Sequence, residues 1–443
     1  MFTTIKKLYG VLSTHAGVKI YGGNMGWLFV ERVAAIIFGF VVGVYVARSL
    51  GADLFGILSY SISLATIFSV IMVYGMDQII IRELVKCPDK RDEYLGSGFA
   101  IRLAGFAVMM LCLTAYLGIV RPTDGAGLMV FIICIGFSFN AFSMIDLFFL
   151  SRAENKYSSL SRLFALVVFN ILRLVLVLCG AELVWFAAVE MSHGVCSAAG
   201  YIYFYRRRGF SLLRWRFSKV VARYLLLESW PFWLGHGALL FYMRIDQVMI
   251  RHYLTDADVG IYSVAVRLAE MFFFVPVVIF TALLPALLRS YERSQSEFWR
   301  RMECFFSAMF FLAIPAVALL WLGSLLVVPL YGAEYAGAAP ILRLYGFTLI
   351  LHFTAQPLNV WFVSGGRQRY ALVYTLLIAG ANVALNAVLI PRFGVVGAAW
   401  ATIIAYTAPI LYGVISSKWR RITLLRLVSP FRIFSLLKQI SSL

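Results

Sequence analysis

The chain has 443 residues, 62% of them hydrophobic and only 14% charged, with a mean hydropathy of +0.87. Soluble domains run at roughly 45–50% apolar and 25% charged, so this excess cannot hide in a water-surrounded core. A soluble multidomain enzyme, a disordered chain and a secreted disulfide scaffold are therefore excluded, and lipid is the remaining solvent. The 39 Lys+Arg against 21 Asp+Glu leave a net charge of +18, which suits nucleic acid or a membrane surface.

Residues 1–23 carry Lys6, Lys7 and Lys19 but lack the apolar core of about 7–15 residues and the small-residue cleavage site of a signal peptide. They read as an amphipathic segment lying on the inner membrane surface. A transmembrane helix needs about 20 mostly apolar residues. Six such windows, 24–48, 55–77, 98–120, 126–150, 161–180 and 183–205, make an N-terminal lobe over 24–205. A basic linker at 206–228 opens with Arg206-Arg207-Arg208 and continues with Leu212, Leu213, Trp215, Phe217, Val220, Val221 and Leu225. Its pattern predicts an interfacial helix on anionic lipid. Six further windows, 229–252, 259–288, 303–329, 338–363, 370–390 and 394–416, make a C-terminal lobe over 229–416, and 417–443 is a basic tail.

With the N-terminus inside, thirty basic residues fall on the cytoplasmic side and four (Arg48, Arg121, Arg251 and Arg392) on the other. Five lie within spans. This is the positive-inside pattern of a multi-pass protein with both termini cytoplasmic. Because the basic residues recur at every second loop instead of lining one domain, a nucleic-acid partner is excluded. Six cysteines without paired spacing read as small apolar packing residues.

The halves share a local pattern. Leu50-x5-Gly56-Ile57-x-Ser59 recurs 204 residues later as Leu254-x5-Gly260-Ile261-x-Ser263, at the turn from the first to the second span of each half. Equivalent positions favour an internal duplication, with parallel repeats because six spans are even. Ten of the twelve prolines follow residue 228. Pro276, Pro315, Pro357 and Pro409 sit inside spans, where proline removes a backbone hydrogen bond and bends the helix.

Charged residues at mid-span cost about 2.5–3.5 kcal/mol each. The first half holds Glu31, Arg32, Asp146, Arg173, Glu190 and His193, and the second Arg244, Asp246, Arg267, Glu270, Arg343 and His352. Five lipid-facing arginines would cost about 12–18 kcal/mol, beyond a typical net stability, so a shared polar interior is expected. Arg267 and Glu270 are spaced i,i+3 and can pair along one helix face. Glu190 and His193 have the same spacing, compatible with a proton relay or with interhelical hydrogen bonding. His352, Gln356 and Asn359 form one polar stripe, and Asn382 and Asn386 another.

Arginine's planar fork holds phosphate or carboxylate bidentately. Arg32, Arg173, Arg244, Arg267 and Arg343 are therefore the candidate contacts for an anionic headgroup. Glu31, Asp246 and Glu270 are the candidate ion or proton carriers. No phosphate-cradling loop, HExxH or paired CxxC is present, and the outer loops are short, so a non-enzymatic transporter without cofactor or metal is expected.

The stretch Val44–Lys86 contains Tyr45-Val46-Ala47-Arg48-Ser49-Leu50-Gly51-x3-Phe55-Gly56 and Tyr74-Gly75-Met76-Asp77-Gln78-Ile79-Ile80-Ile81-Arg82-Glu83. Together with Asn382-x3-Asn386-x3-Ile390-Pro391-x-Phe393-Gly394-x2-Gly397-Ala398-Ala399, it resembles the bacterial polysaccharide-export and O-antigen repeat-unit flippases of the multidrug/oligosaccharidyl-lipid/polysaccharide exporter superfamily. The resemblance runs from span one to span twelve. It implies an all-α integral membrane fold of about twelve transmembrane helices, in two six-helix lobes forming a V around a central cavity. It also implies movement of an undecaprenyl-diphosphate-linked oligosaccharide from the inner to the outer leaflet of the bacterial inner membrane. The implied partners are that substrate, membrane lipids and polysaccharide polymerase machinery. An ion-coupled multidrug antiporter of the same superfamily is the alternative.

Overall fold

The computed structural model describes residues 15–120, 125–417 and 419–440. Residues 1–14 of the N-terminal segment, the Arg121–Asp124 turn, Lys418 and 441–443 lie outside the described residues. Among those described, every regular element is helical, as a lipid solvent demands of backbone that has no water to bond.

The first helix, α1 (His15–Ser69), holds two spans. It breaks at Gly51, whose φ of +71° is open to glycine at little cost. The freed N–H of Ala52 donates to the Glu334 carboxylate at 3.0 Å, so a side chain distant in sequence caps the start of span two. This span ends at Ser69, short of the expected 77. A turn through Gly75 (φ +61°) leads into the short α2 (Asp77–Lys86), which was partly read as membrane.

The chain then runs through α3 (Arg91–Val120), α4 (Ala126–Phe137), α5 (Met144–Ser151), α6 (Asn155–Leu178) and α7 (Leu183–Arg207). It continues as α8 (Lys219–Tyr253), α9 (Asp256–Glu270), α10 (Phe274–Arg293), α11 (Gln295–Ser324), the single turn α12 (Val327–Tyr331), α13 (Ala338–Ser364), α14 (Gln368–Phe393), α15 (Val395–Ile415) and α16 (Arg420–Ile440). Short 3-10 turns join α4 to α5 and α9 to α10, so each pair makes one span. The second of these breaks, Met271–Phe273, lies where Pro276 cannot donate to the Phe272 carbonyl.

Among the described residues nine helices, counting these joined pieces as one, are long and apolar enough to cross a membrane. The first is itself two spans, and α7 and α8 supply the remaining pair, their hydropathy diluted by Glu190, Arg244 and Asp246. The expected interfacial helix over 206–228 is not found. Residues 208–218 form only a 3-10 turn at Leu212–Arg214, and 219–228 is the first stretch of α8. The reason is local: Gly96 lets the Arg216 backbone lie directly on α3, and Ser97 and Ser218 bond each other through side chain and backbone.

By contacts the chain forms two units. One comprises the described part of Met1–Ser49 with Leu64–His236; the other is Leu50–Ser63 with Gly237–Leu443. The first unit's core gathers Met76, Ile80, Leu95, Met144, Phe149, Tyr205 and Leu225. At its edge the Tyr224 hydroxyl donates to Glu83 at 3.0 Å and accepts from Arg82 at 2.7 Å. Burial, helped by the Glu83 carboxylate, raises that hydroxyl above the ordinary phenol range. Arg102, buried, ties Asp77 to the Asn140 carbonyl.

In the second unit Tyr242, Ile378, Ala379, Ala405 and Tyr406 form a compact cluster. The basic tail is the helix α16, docked by Ile422, Thr423, Arg426 and Ser429 on one face. Arg426 donates to the Leu351 carbonyl at 2.7 Å and to the Thr354 hydroxyl at 3.0 Å.

Candidate functional site

The intramembrane charges of the first unit are organised around a residue that the charge count sets among the cytoplasmic ones. Helix α6 starts at Asn155, so Arg162 lies about two turns inside it. Its guanidinium donates through Nε and Nη2 to both oxygens of Glu31 at 2.7 and 2.8 Å. Through Nη1 it reaches both oxygens of Asp146 at 2.9 Å. Two carboxylates thus share one cation, and the trio carries one net negative charge.

Arg173, 7% exposed, donates to Glu190 and lies 4.2 Å over the Phe169 ring. Glu190 is therefore spent on Arg173. His193 makes no hydrogen bond to it among the described residues and packs edge-on against the same Phe169. Of the two readings of the Glu190–His193 spacing, interhelical hydrogen bonding is the one Glu190 makes. Arg32, adjacent to Glu31 and so about 100° round the helix, is exposed and makes no ion pair among the described residues.

In the second unit the Arg267–Glu270 pair is replaced by one between helices. Glu270 at the end of α9 accepts from Arg244 of α8 at 3.3 and 3.4 Å, both side chains partly exposed at 19% and 27%. Arg267 points the other way, its guanidinium 5.1 Å over the Phe55 ring. Arg343 donates from Nε to Ser324 at 2.7 Å and is otherwise exposed.

Asp246, two residues from Arg244, faces away from it into a dry cage. Only 4% exposed, it accepts from the Tyr262 hydroxyl at 2.6 Å, the Asn386 amide at 2.6 Å and the Thr402 hydroxyl at 2.9 Å. Asn386 also donates to Asn382 at 3.1 Å. All these donors are neutral and come from α9, α14 and α15, and no basic side chain reaches the carboxylate among the described residues. The Asn386 carbonyl oxygen beside it is buried with no donor. The Asn382–Asn386 pair therefore lines Asp246. The stripe on α13 is bonded to itself: Asn359 donates to Gln356 at 3.0 Å, Gln356 sits 3.4 Å from His352, and His352 stacks on Phe273.

Sequence reasoning missed Arg162, Tyr262, Thr402 and Arg426. Arg162 was discoverable, since two acids within reach of the inner end of spans one and four call for a cation. The hydroxyls of Tyr262 and Thr402 carry no sequence signal. Among the described residues no group of three or more His, Cys, Asp or Glu gathers as a metal site, and all six cysteines are free thiols.

Helices of this length and number, with ion pairs and a caged carboxylate between them, define a multi-pass membrane protein of the transporter kind. The profile of the polysaccharide biosynthesis protein family matches residues 22–291, and the chain belongs to that family. It is 24% identical over 401 residues to the probable flippase AglR of Haloferax volcanii, covering 86% of this chain and 79% of that protein. Its fold is that of the lipid II flippase MurJ in an inward closed conformation, with a TM-score of 0.68 at 15% identity over 94% of this chain and 92% of the other. It is also that of an inward-facing multidrug resistance MATE transporter, at 0.71 and 14% identity over 90% and 99%. The family match and the shared fold agree with the motifs read above.

Proposed function

We propose that this protein is a flippase carrying an undecaprenyl-diphosphate-linked O-antigen or related polysaccharide repeat unit from the inner to the outer leaflet by alternating access, without catalysing a covalent step. The family match is the observation that carries the reading; the probable-flippase relative and the lipid II flippase fold support it. The thirty-to-four split of basic residues supports a bacterial inner-membrane protein with both termini cytoplasmic. In this reading the partly exposed Arg244 of the second unit is the first contact for the diphosphate, and Arg32 is the exposed candidate of the first unit, each taken by itself. Arg173, already neutralised and stacked, holds the fold, while Arg267 and Arg343 have secondary roles. A headgroup with about two negative charges moving outward against an inside-negative potential gains up to about 4–5 kcal/mol per 100 mV.

Asp246 is the coupling group this reading favours. An isolated buried carboxylate ringed by neutral oxygens and amides is stabilised by taking up a proton or a small hard cation, and the donorless Asn386 oxygen offers a further ligand. Glu31 is engaged by Arg162 and Glu270 by Arg244, which leaves Asp246 as the carboxylate of the three without a basic partner among the described residues. Polysaccharide polymerase machinery is the partner that would consume the product.

The test is deletion of the gene and analysis of lipid-linked intermediates. Accumulation of an undecaprenyl-diphosphate oligosaccharide on the inner leaflet, with loss of surface polysaccharide, is expected. Normal surface polysaccharide together with new drug sensitivity would overturn the reading in favour of a multidrug antiporter.

A further inference from the structure

The duplicated motif has a structural purpose of its own. Under the 204-residue offset Ala52 corresponds to Asp256, Gly56 to Gly260 and Ser59 to Ser263. A Cβ on Gly56 would overlap the carbonyl oxygen of Asp256 and lie 3.1 Å from the Gly260 nitrogen. One on Gly260 would overlap the carbonyl oxygen of Ala52 and lie 3.2 Å from the Gly56 nitrogen. Each repeat therefore touches, with its seventh position, the third position of the other. This is a self-complementary contact of the kind a local two-fold axis makes.

The crossing itself is backbone on backbone, as in glycine-mediated helix pairs, while beside it Phe55 packs edge-on against Tyr335 and under the Arg267 guanidinium, and Ser63 bonds Gln247. Three residues on, the repeat-equivalent hydroxyls of Ser59 and Ser263 are both buried and have no hydrogen-bond partner among the described residues. Two matched donors kept dry and unsatisfied fit a contact that is made and broken, since water can satisfy both only when it opens. The segment Leu50–Ser63 belongs covalently to the first half, yet it groups by contacts with the second unit. It begins at the left-handed Gly51 with the Glu334 cap on Ala52, so one end is already a joint.

We propose that Gly56 and Gly260 are positioning residues forming a separable closure, which holds Leu50–Ser63 in the second unit and releases it once per transport cycle. This rests on the alternating-access reading above.

In a background with the six native cysteines replaced, Ser59→Cys and Ser263→Cys report the crossing. In membrane vesicles of the otherwise native protein, a membrane-impermeant maleimide applied on the side opposite the basic loops should label both slowly and at matching rates. Gly56→Val and Gly260→Val should each raise labelling at the reporter of the other repeat at least tenfold and lower export at least tenfold. Gly39→Val and Gly323→Val, where an added Cβ meets nothing within 4 Å, should change neither. Reporters that stay unlabelled while the protein exports, or Val variants with native labelling and export, would overturn the proposal. If the reporters behave as described but no lipid-linked oligosaccharide moves, the closure stands and the flippase reading fails.

Discussion

Replacing Arg162 by Met tests whether the first unit's charges are held together by one cation. The substitution removes four charge-assisted hydrogen bonds of 2.7–2.9 Å and leaves Glu31 and Asp146 without a counter-ion. Removing one partner of a buried pair costs about 3–5 kcal/mol. These side chains are still 16–24% exposed, which places the loss near the lower end, at about 3 kcal/mol. A unit of this size shifts its Tm by about 2–4 °C per kcal/mol, so the purified variant should melt roughly 6–12 °C lower in detergent. The triple variant Arg162→Met, Glu31→Gln, Asp146→Asn removes every charge of the trio and should recover most of the loss, because the penalty lies in the orphaned carboxylates. A single variant melting within about 2 °C of native, or a triple variant no better than the single, would refute the argument.

Arg244→Ala is expected to cut surface polysaccharide at least tenfold with normal membrane insertion, while Arg244→Lys retains part of the activity because it keeps the charge and loses the fork; equal export by both and by native protein would count against a headgroup contact. Asp246→Asn keeps the shape of the cage, so protein level should hold, but flipping in vesicles should lose its dependence on an imposed proton or cation gradient. Arg426→Met removes the bonds to Leu351 and Thr354, worth about 1.5–3 kcal/mol for a charged donor. Limited proteolysis around Ser416–Trp419 should then run at least tenfold faster, and an unchanged rate would show that the aromatic contacts of Trp419 dock α16 unaided.

The twelve spans were legible because lipid imposes one rule on every segment: an apolar run of sufficient length, with backbone bonds closed inside it. Errors fell where another rule took over. Hydropathy ran span two past Ser69, to 77, because Tyr74 and Met76 are apolar for the sake of a protein core, not of lipid. The linker helix failed because amphipathic periodicity says nothing of a glycine that lets a neighbouring backbone close in.

Charge partners were the least legible feature. The i,i+3 spacings of Arg267–Glu270 and Glu190–His193 are the pairings a single helix can state, and both acids instead went to arginines on neighbouring helices. Interhelical geometry decides such pairing, and one sequence does not contain it. By contrast, Asn382 and Asn386 were correctly seen as one polar face, because an i,i+4 relation is intrinsic to the helix. What they face, Asp246, was not visible.

The pairing changes what an electropositive interior means here. With Arg162 shared by two acids, Arg173 held by Glu190 and Arg244 by Glu270, most buried positive charge is already neutralised. In the proposed reading a diphosphate meeting Arg244 would displace Glu270, exchanging one anion for another, instead of falling onto a bare cation. Its net affinity is then a difference between two similar interactions. A carrier gains from that arrangement, since a headgroup bound by several bare buried arginines would be slow to leave. The long 3.3–3.4 Å geometry of the Arg244–Glu270 pair and its partial exposure make it the weakest of the three to open. The Arg162 trio, shorter and shared, is suited to holding helices in place. The proposed division between binding and scaffolding arginines thus rests on the partners each already has, not on how deep in the membrane each one lies.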